Sequence, residues 1–135
     1  MTLTGTAAGG GAPSPTINFA FSSIYNQASA VALVAGHWMM QGGSIATISS
    51  TGAISGTDAS TGCTLSGHVS VSNTSVNLYN VSLTYSGCTG GPASLNGVAL
   101  NGVGTLDTSQ TPATFDVGVR SANKKTESVF FWTQQ

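Results

Sequence analysis

From Gly36 to the end of the chain, apolar and polar side chains alternate with a period of two. Such alternation marks half-buried β-strands, and it predicts eight of them, near 37–41, 44–50, 53–58, 63–71, 78–86, 95–106, 113–120 and 126–134. Turn signals separate them: Gly42-Gly43, Thr51-Gly52, Ser60-Thr61-Gly62, Asn73-Thr74, Gly90-Gly91-Pro92, Thr108-Ser109-Gln110 and Asn123-Lys124. Short strands at even spacing with no intervening helices imply an antiparallel meander. Eight strands remove their edges most simply by closing into an up-and-down barrel, with a two-sheet sandwich as the alternative.

The alternation also assigns faces. Leu65, Gly67, Val69 and Val71 share one face of their strand, and Tyr79, Val81, Leu83 and Tyr85 share one face of the next. Apposing these sets requires Val69 opposite Val81 and Leu65 opposite Tyr85, because a one-residue slip turns an apolar face outward. Cys63 then falls opposite Gly87, one residue short of Cys88, so an irregularity is expected near Gly87, where glycine tolerates a bulge. Val98, Leu100 and Leu106 share a face with Gly102 and Gly104, and Phe115, Val117 and Val119 form the next inward set. The last strand contains V-F-F-W, apolar on both faces. One face should be covered by a helix or stand exposed as a sticky patch. The barrel interior is expected to be lined by Trp38, Met40, Val69, Val81, Leu83, Val117 and Phe131.

Upstream the pattern changes. Ile24, Ala28, Val31 and Ala35 fall on one face at helical spacing, with Ser22 or Ser23 as a cap and Gly36 as a stop. These predict a helix over 23–35, with a buried strand as the competing reading of A-V-A-L-V-A. Residues 1–16 are a Gly/Ala/Pro/Thr stretch expected to be a flexible tether, leaving 17–135 as a single β domain.

Composition adds a compartment. Only seven side chains carry formal charge, 5% of the chain against about a quarter in ordinary soluble domains. Nineteen Ser, eighteen Thr and eighteen Gly take their place, which suits a strand-rich surface. A net charge of −1 without a basic cluster gives nucleic acid no electrostatic footprint. The longest apolar run, Ala30 to Ala35, is far short of the ~20 residues of a spanning helix. The two cysteines sit at the outer ends of one hairpin, so a Cys63–Cys88 disulfide is expected over two buried thiols, and with it an oxidising compartment. Met1-Thr2-Leu3-Thr4 lacks the basic start and apolar run of an export signal, which is therefore expected to have been removed. A Gly/Pro-rich tether also suits a lipid-anchored N-terminus in the precursor.

Candidate chemistry is sparse. His37 and His68 each fall on the polar side of a strand, with no third ligand at metal spacing. Asp58, Asp107, Asp116 and Glu127 are isolated, and no G-x-S-x-G elbow occurs. Ser121-Ala122-Asn123-Lys124 fits a bare Ser-x-x-Lys pattern, but it falls in a turn and lacks the companion motifs of penicillin-binding enzymes. Asn73-Thr74-Ser75 and Asn80-Val81-Ser82 match a glycosylation sequon too short to carry weight here. Neither a catalytic group nor a cofactor is expected.

Two resemblances extend this picture. Gly36-His37-Trp38 after a short helical stretch resembles the G-x-W opening of calycins, the lipocalin and avidin type of eight-stranded barrel. The following S-I-A-T-I-S-S-T-G-A-I-S-G-T (44–57) is similar to the first hairpin of avidins. Ser44 aligns with a ligand-contacting serine there, whereas Met40 and Asp58 stand where biotin-contacting residues are found. That resemblance implies a barrel rather than biotin binding. The order helix, G-x-W, T-G-A-I-S-G-T-D, G-C-T-L-S-G, N-L-Y-N-V, second Cys, N-G-V resembles lipoprotein-like domains of proteobacteria. These are exported to the periplasm or outer membrane, and some are seroreactive antigens. It implies a location and no mechanism. The expectation is an exported, non-catalytic envelope domain acting by binding or structural contact with an envelope or host protein. A calycin-like carrier of a small apolar ligand is the alternative.

Overall fold

Alternation becomes closure in the computed structural model, which describes residues 3–6, 16–19, 22–90 and 93–135. Eight strands form the barrel: β3 (Gly36–Met40), β4 (Ile45–Ile48), β5 (Ala53–Asp58), β6 (Cys63–Val71), β7 (Tyr79–Ser86), β8 (Ala99–Asp107), β9 (Thr114–Ser121) and β10 (Glu127–Gln134). Each pairs antiparallel with its sequence neighbours, and β10 pairs with β3 to close the sheet. The sandwich alternative is excluded. Closure leaves none of these eight strands with an unpaired edge.

Inside the 1–16 stretch expected to be a tether, β1 (Leu3–Thr6) pairs antiparallel with β2 (Thr16–Phe19), which begins at its last residue; both are short segments with β-favouring Thr, Ile or Phe. Residues 7–15 of that stretch lie outside the described residues.

The register between β6 and β7 follows the apolar sets, with Val69 opposite Val81 and Leu65 opposite Tyr85. Both strands bury alternate residues, and β9 alternates without a break from Phe115 to Ser121. The ladder ends with Thr64 opposite Ser86, and Gly87 takes φ +60° before Cys88. The Cys63–Cys88 disulfide therefore closes the hairpin one step out of line, as the register requires.

The interior is filled by the chain's own rings. Phe115 sits at its centre, 5.9 Å from Trp38, 5.3 Å from Tyr79 and 5.7 Å from Trp132 between ring centroids. Tyr79 and Trp132 meet it edge to face, the arrangement ring quadrupoles favour. Gly104 makes room for this cluster: a Cβ there would lie 2.8 Å from Cε2 and Cζ of Phe115. At Gly102 a Cβ would run into the Gly118 carbonyl, so β8 and β9 approach there more closely than side chains allow.

Three expectations are corrected. The helix over 23–35 is replaced by a 3-10 turn, Ser23–Asn26, capped by Ser22, and a single α-turn, Val31–Val34, separated by extended backbone. Competing partners break it. The Ser29 N–H donates to Thr74 O (3.0 Å), the Ser29 hydroxyl donates to Asn73 O (3.2 Å), and the Asn77 N–H donates to Tyr25 O (3.0 Å). Nothing caps the α-turn with a side chain at Ala30. The segment instead plugs one end of the barrel: Val34 is fully buried and its carbonyl accepts from Trp38 Nε1 (2.8 Å).

The strand expected from 95 starts at Ala99, because Ala93–Leu95 forms a 3-10 turn and Gly97 takes φ +75°. Phe131, expected inside, points outward and is 56% exposed. Its strand is apolar on both faces, and Trp132 opposite Met40 and Phe115, both inward, decides which face turns in.

Candidate functional site

The most polar place in this apolar barrel is one rim, where the ends of β5 and β7 meet the start of β4. Ser44, at the entry to β4, and Asp58, the last residue of β5, are both buried. The Ser44 hydroxyl donates to Asp58 Oδ1 (3.3 Å) and accepts the Ala59 N–H (2.8 Å). The same Oδ1 accepts the Ser60 N–H (2.9 Å) and the Ser60 hydroxyl (2.6 Å). Burial alone would raise the Asp58 pKa, but the hydrogen bonds from Ser60 and Ser44 help to outweigh it and hold the carboxyl below its usual value.

Deeper on the same rim, burial pushes the Tyr85 phenol up. A hydrogen bond with the Ser128 side chain pulls it partly back, and the Asp58 charge pushes it up again. A cleft of about 240 Å³ opens beside Asp58, lined also by Met40, Ser44, Ser60, Phe130 and Phe131. Chemically this rim can offer hydroxyls and a carboxylate beside aromatic surface.

The other sequence candidates do not converge on it. Trp38, Val69, Val81, Leu83 and Val117 are buried in the packed interior, and Met40 bridges interior and rim. His37 and His68 are exposed on the outer wall. His37 Nδ1 lies 3.1 Å from the hydroxyl of its cross-strand partner Thr47. Among the described residues no three His, Cys, Asp or Glu side chains stand together as a metal site.

The Ser-x-x-Lys match is a tight turn between β9 and β10. The Ser121 hydroxyl donates to Asn123 Oδ1 (2.7 Å) and accepts the Thr126 N–H (3.0 Å), so it is occupied in holding the turn. Cys63 and Cys88 are joined, and the Cys88 N–H is held by Asn96 Oδ1 (3.0 Å).

One residue the sequence did not single out organises the opposite end. Asn77, 1% exposed, donates from Nδ2 to Leu106 O (2.6 Å) and to Ile24 O (3.1 Å), and accepts from Leu106 N–H at Oδ1 (3.1 Å). The β7–β8 ladder stops at Tyr79 opposite Gly104. Two residues on, the Asn77 amide meets both polar groups of Leu106 as a neighbouring backbone would. Only its place just before an apolar-alternating strand hinted at this, and an asparagine there reads equally as a turn residue.

The outer wall carries the remaining feature. Met39, Ile45, Val103, Val129 and Phe131 are all between 45% and 65% exposed. Met39 and Ile45 are cross-strand partners, and Val103, Gly118 and Val129 lie in one row across β8, β9 and β10. A groove of about 430 Å³ runs over Gly118 between the two valines. The stripe expected from V-F-F-W is therefore open to solvent.

Comparison with family models, with curated proteins and with solved structures finds no match to this chain.

Proposed function

We propose that this chain is an exported, non-catalytic β-barrel domain of a Gram-negative envelope, working through contacts made by its outer surface. The observation that carries this reading is the filled interior. Phe115, Trp38, Tyr79 and Trp132 occupy the space in which a carrier barrel of eight strands would hold its ligand. Recognition then falls to the outside, where the large apolar side chains stand.

Export is supported by the disulfide, which an oxidising compartment would maintain, and by a surface dependent on hydroxyls and not on charge. The resemblance to lipoprotein-like envelope domains, some of them seroreactive antigens, points the same way. Native mass spectrometry of the protein purified from its host tests the reading. A co-purified protein partner or a bare chain is the expected result, and a stoichiometric small apolar molecule overturns it.

A carrier of a small ligand is the second reading, and the rim cleft is the observation on its side. Asp58, Ser44 and Ser60 converge there beside Phe130 and Met40, as the few polar groups of a ligand site do. At about 240 Å³ the cleft falls below the ~300 Å³ at which ligand pockets usually begin.

A further inference from the structure

Asp58 and Asp107 make the same turn in different surroundings. Asp107 Oδ1 accepts the Ser109 N–H (2.8 Å) and hydroxyl (2.6 Å), as Asp58 Oδ1 accepts those of Ser60. Asp107 stays partly exposed, whereas Asp58 is only 8% exposed and takes a further bond from Ser44. The turn therefore accounts for the hydrogen bonds to Asp58, but it does not require the carboxylate to be buried.

A buried carboxylate is costly unless it is paired. The lowered pKa of Asp58 keeps it ionised at neutral pH. All of its hydrogen bonds converge on Oδ1; among the described residues none reaches Oδ2, and no cation pairs with the group. The chain's three cations stand elsewhere. Arg120 lies on β9 opposite Glu127, and Lys124 and Lys125 are exposed in the turn that follows. Asp58 instead lines the rim cleft of about 240 Å³, whose walls include Phe130, Phe131 and Met40.

We infer that this cleft binds a primary alkylammonium group, which donates to Asp58 Oδ2 while its stem lies against Phe130, Phe131 and Met40. Aromatic faces attract a cation as well as an alkyl stem, so the apolar walls suit both parts of such a ligand. A guanidinium fits less well, because its planar fork seeks both carboxylate oxygens and Oδ1 already accepts three bonds. A hard metal ion would need six or more oxygen ligands. Here the Ser44 and Ser60 hydroxyls are engaged with Asp58 itself, and only one carboxylate is present. The modest volume suits a charged head and a short stem and not a drug-sized molecule.

An NMR titration of the full chain at pH 7 tests this, read at the Ala59 and Ser60 amides, which bond to Ser44 Oγ and Asp58 Oδ1. With n-butylammonium as probe, both amides should shift and saturate with a Kd on the order of 1 mM, the scale of one charge-assisted hydrogen bond with a cation–π contact. n-Butanol, with the same stem and no charge, should bind at least about ten-fold more weakly. Asp58→Asn keeps an oxygen for Ser44 and Ser60 but loses the charge, and should weaken n-butylammonium binding by a similar factor. Asp107→Asn should leave it unchanged.

No saturable shift overturns the inference, as does n-butanol binding as tightly as n-butylammonium, or an Asp58→Asn variant that binds like the parent. The comparison of the two probes needs no variant, so it decides the matter even if Asp58→Asn fails to fold. Nα-acetyl-lysine N-methylamide separates the sources. Binding equal to that of n-butylammonium assigns the group to a lysine of a protein, and exclusion by the rim assigns it to a free amine; either result upholds the site. The site stands apart from the contact reading above. A failed titration leaves that reading in place, and a co-purified apolar molecule overturns that reading without touching this site.

Discussion

Replacing Asn77 tests how the open end of the sheet is finished. Its side-chain amide makes three hydrogen bonds in a buried setting, two to Leu106 and one to Ile24. Asn77→Ala would leave the Leu106 N–H, the Leu106 carbonyl and the Ile24 carbonyl without that partner. At about 1 kcal/mol net per bond the loss is about 3 kcal/mol, and more if water cannot reach the vacated site. For a domain of this size that corresponds to a drop in Tm of roughly 12 °C.

Asn77→Asp separates hydrogen bonding from volume. The ionised carboxylate cannot donate, so it sets an oxygen against the Leu106 and Ile24 carbonyls and should cost at least as much as Ala at pH 7. Its folded pKa would lie above its unfolded value of about 3.9, since only the protonated form can donate. The deficit relative to Asn77 should therefore be full above the folded pKa and shrink as pH falls toward 4. Urea denaturation followed by tryptophan fluorescence, with each variant compared with the parent at the same pH, reads both effects. An Ala variant losing less than about 1 kcal/mol, or an Asp variant as stable as the parent at pH 7, would refute the reasoning.

Three further outcomes are expected. Removing the disulfide as Cys63→Ser/Cys88→Ser frees a loop with a sequence separation of 25 and should cost about 3.5 kcal/mol in the chain-entropy account; identical urea midpoints for both forms would contradict it. Gly104→Ala should destabilise by roughly 1–3 kcal/mol because its Cβ meets the Phe115 ring, whereas Gly118→Ala should be neutral or mildly stabilising, so equal melting temperatures for the two would count against the packing described. Because the folded Asp58 pKa is lowered, its stabilisation is present above about pH 4 and lost as pH falls through the folded value; Asp58→Asn should flatten the acid limb of a Tm–pH curve, and an unchanged limb would remove Asp58 as its cause.

The strands were legible because period two is a strong signal when one face is buried. The same signal set the β6–β7 register, and from it the offset at Gly87. It failed where it had nothing to distinguish. In V-F-F-W both faces are apolar, so only the pairing of Trp132 with Met40 and Phe115 sends Phe131 outward. The helical spacing of Ile24, Ala28, Val31 and Ala35 was real, but the backbone of that segment found partners at Thr74 and Asn77, and the Ser29 hydroxyl found one at Asn73, all far away in sequence. The rim was hidden for a similar reason. Ser44 and Asp58 come from neighbouring strands, and among so many serines no spacing marks the ones whose hydroxyls turn toward a carboxylate.

The seam between β10 and β3 also bears on the order of events in making this protein. In a meander every other pairing forms between consecutive strands, so most of the sheet can assemble as the chain lengthens. The seam cannot, because Met40 waits for Trp132. Until the final strand has been synthesised, β3 presents a bare edge. A chain truncated before β10 would carry that edge permanently, together with the apolar faces of Trp38 and Phe115 that Trp132 would have covered. Such fragments should aggregate, and the chain should be most vulnerable in the interval before the eight residues of β10 arrive.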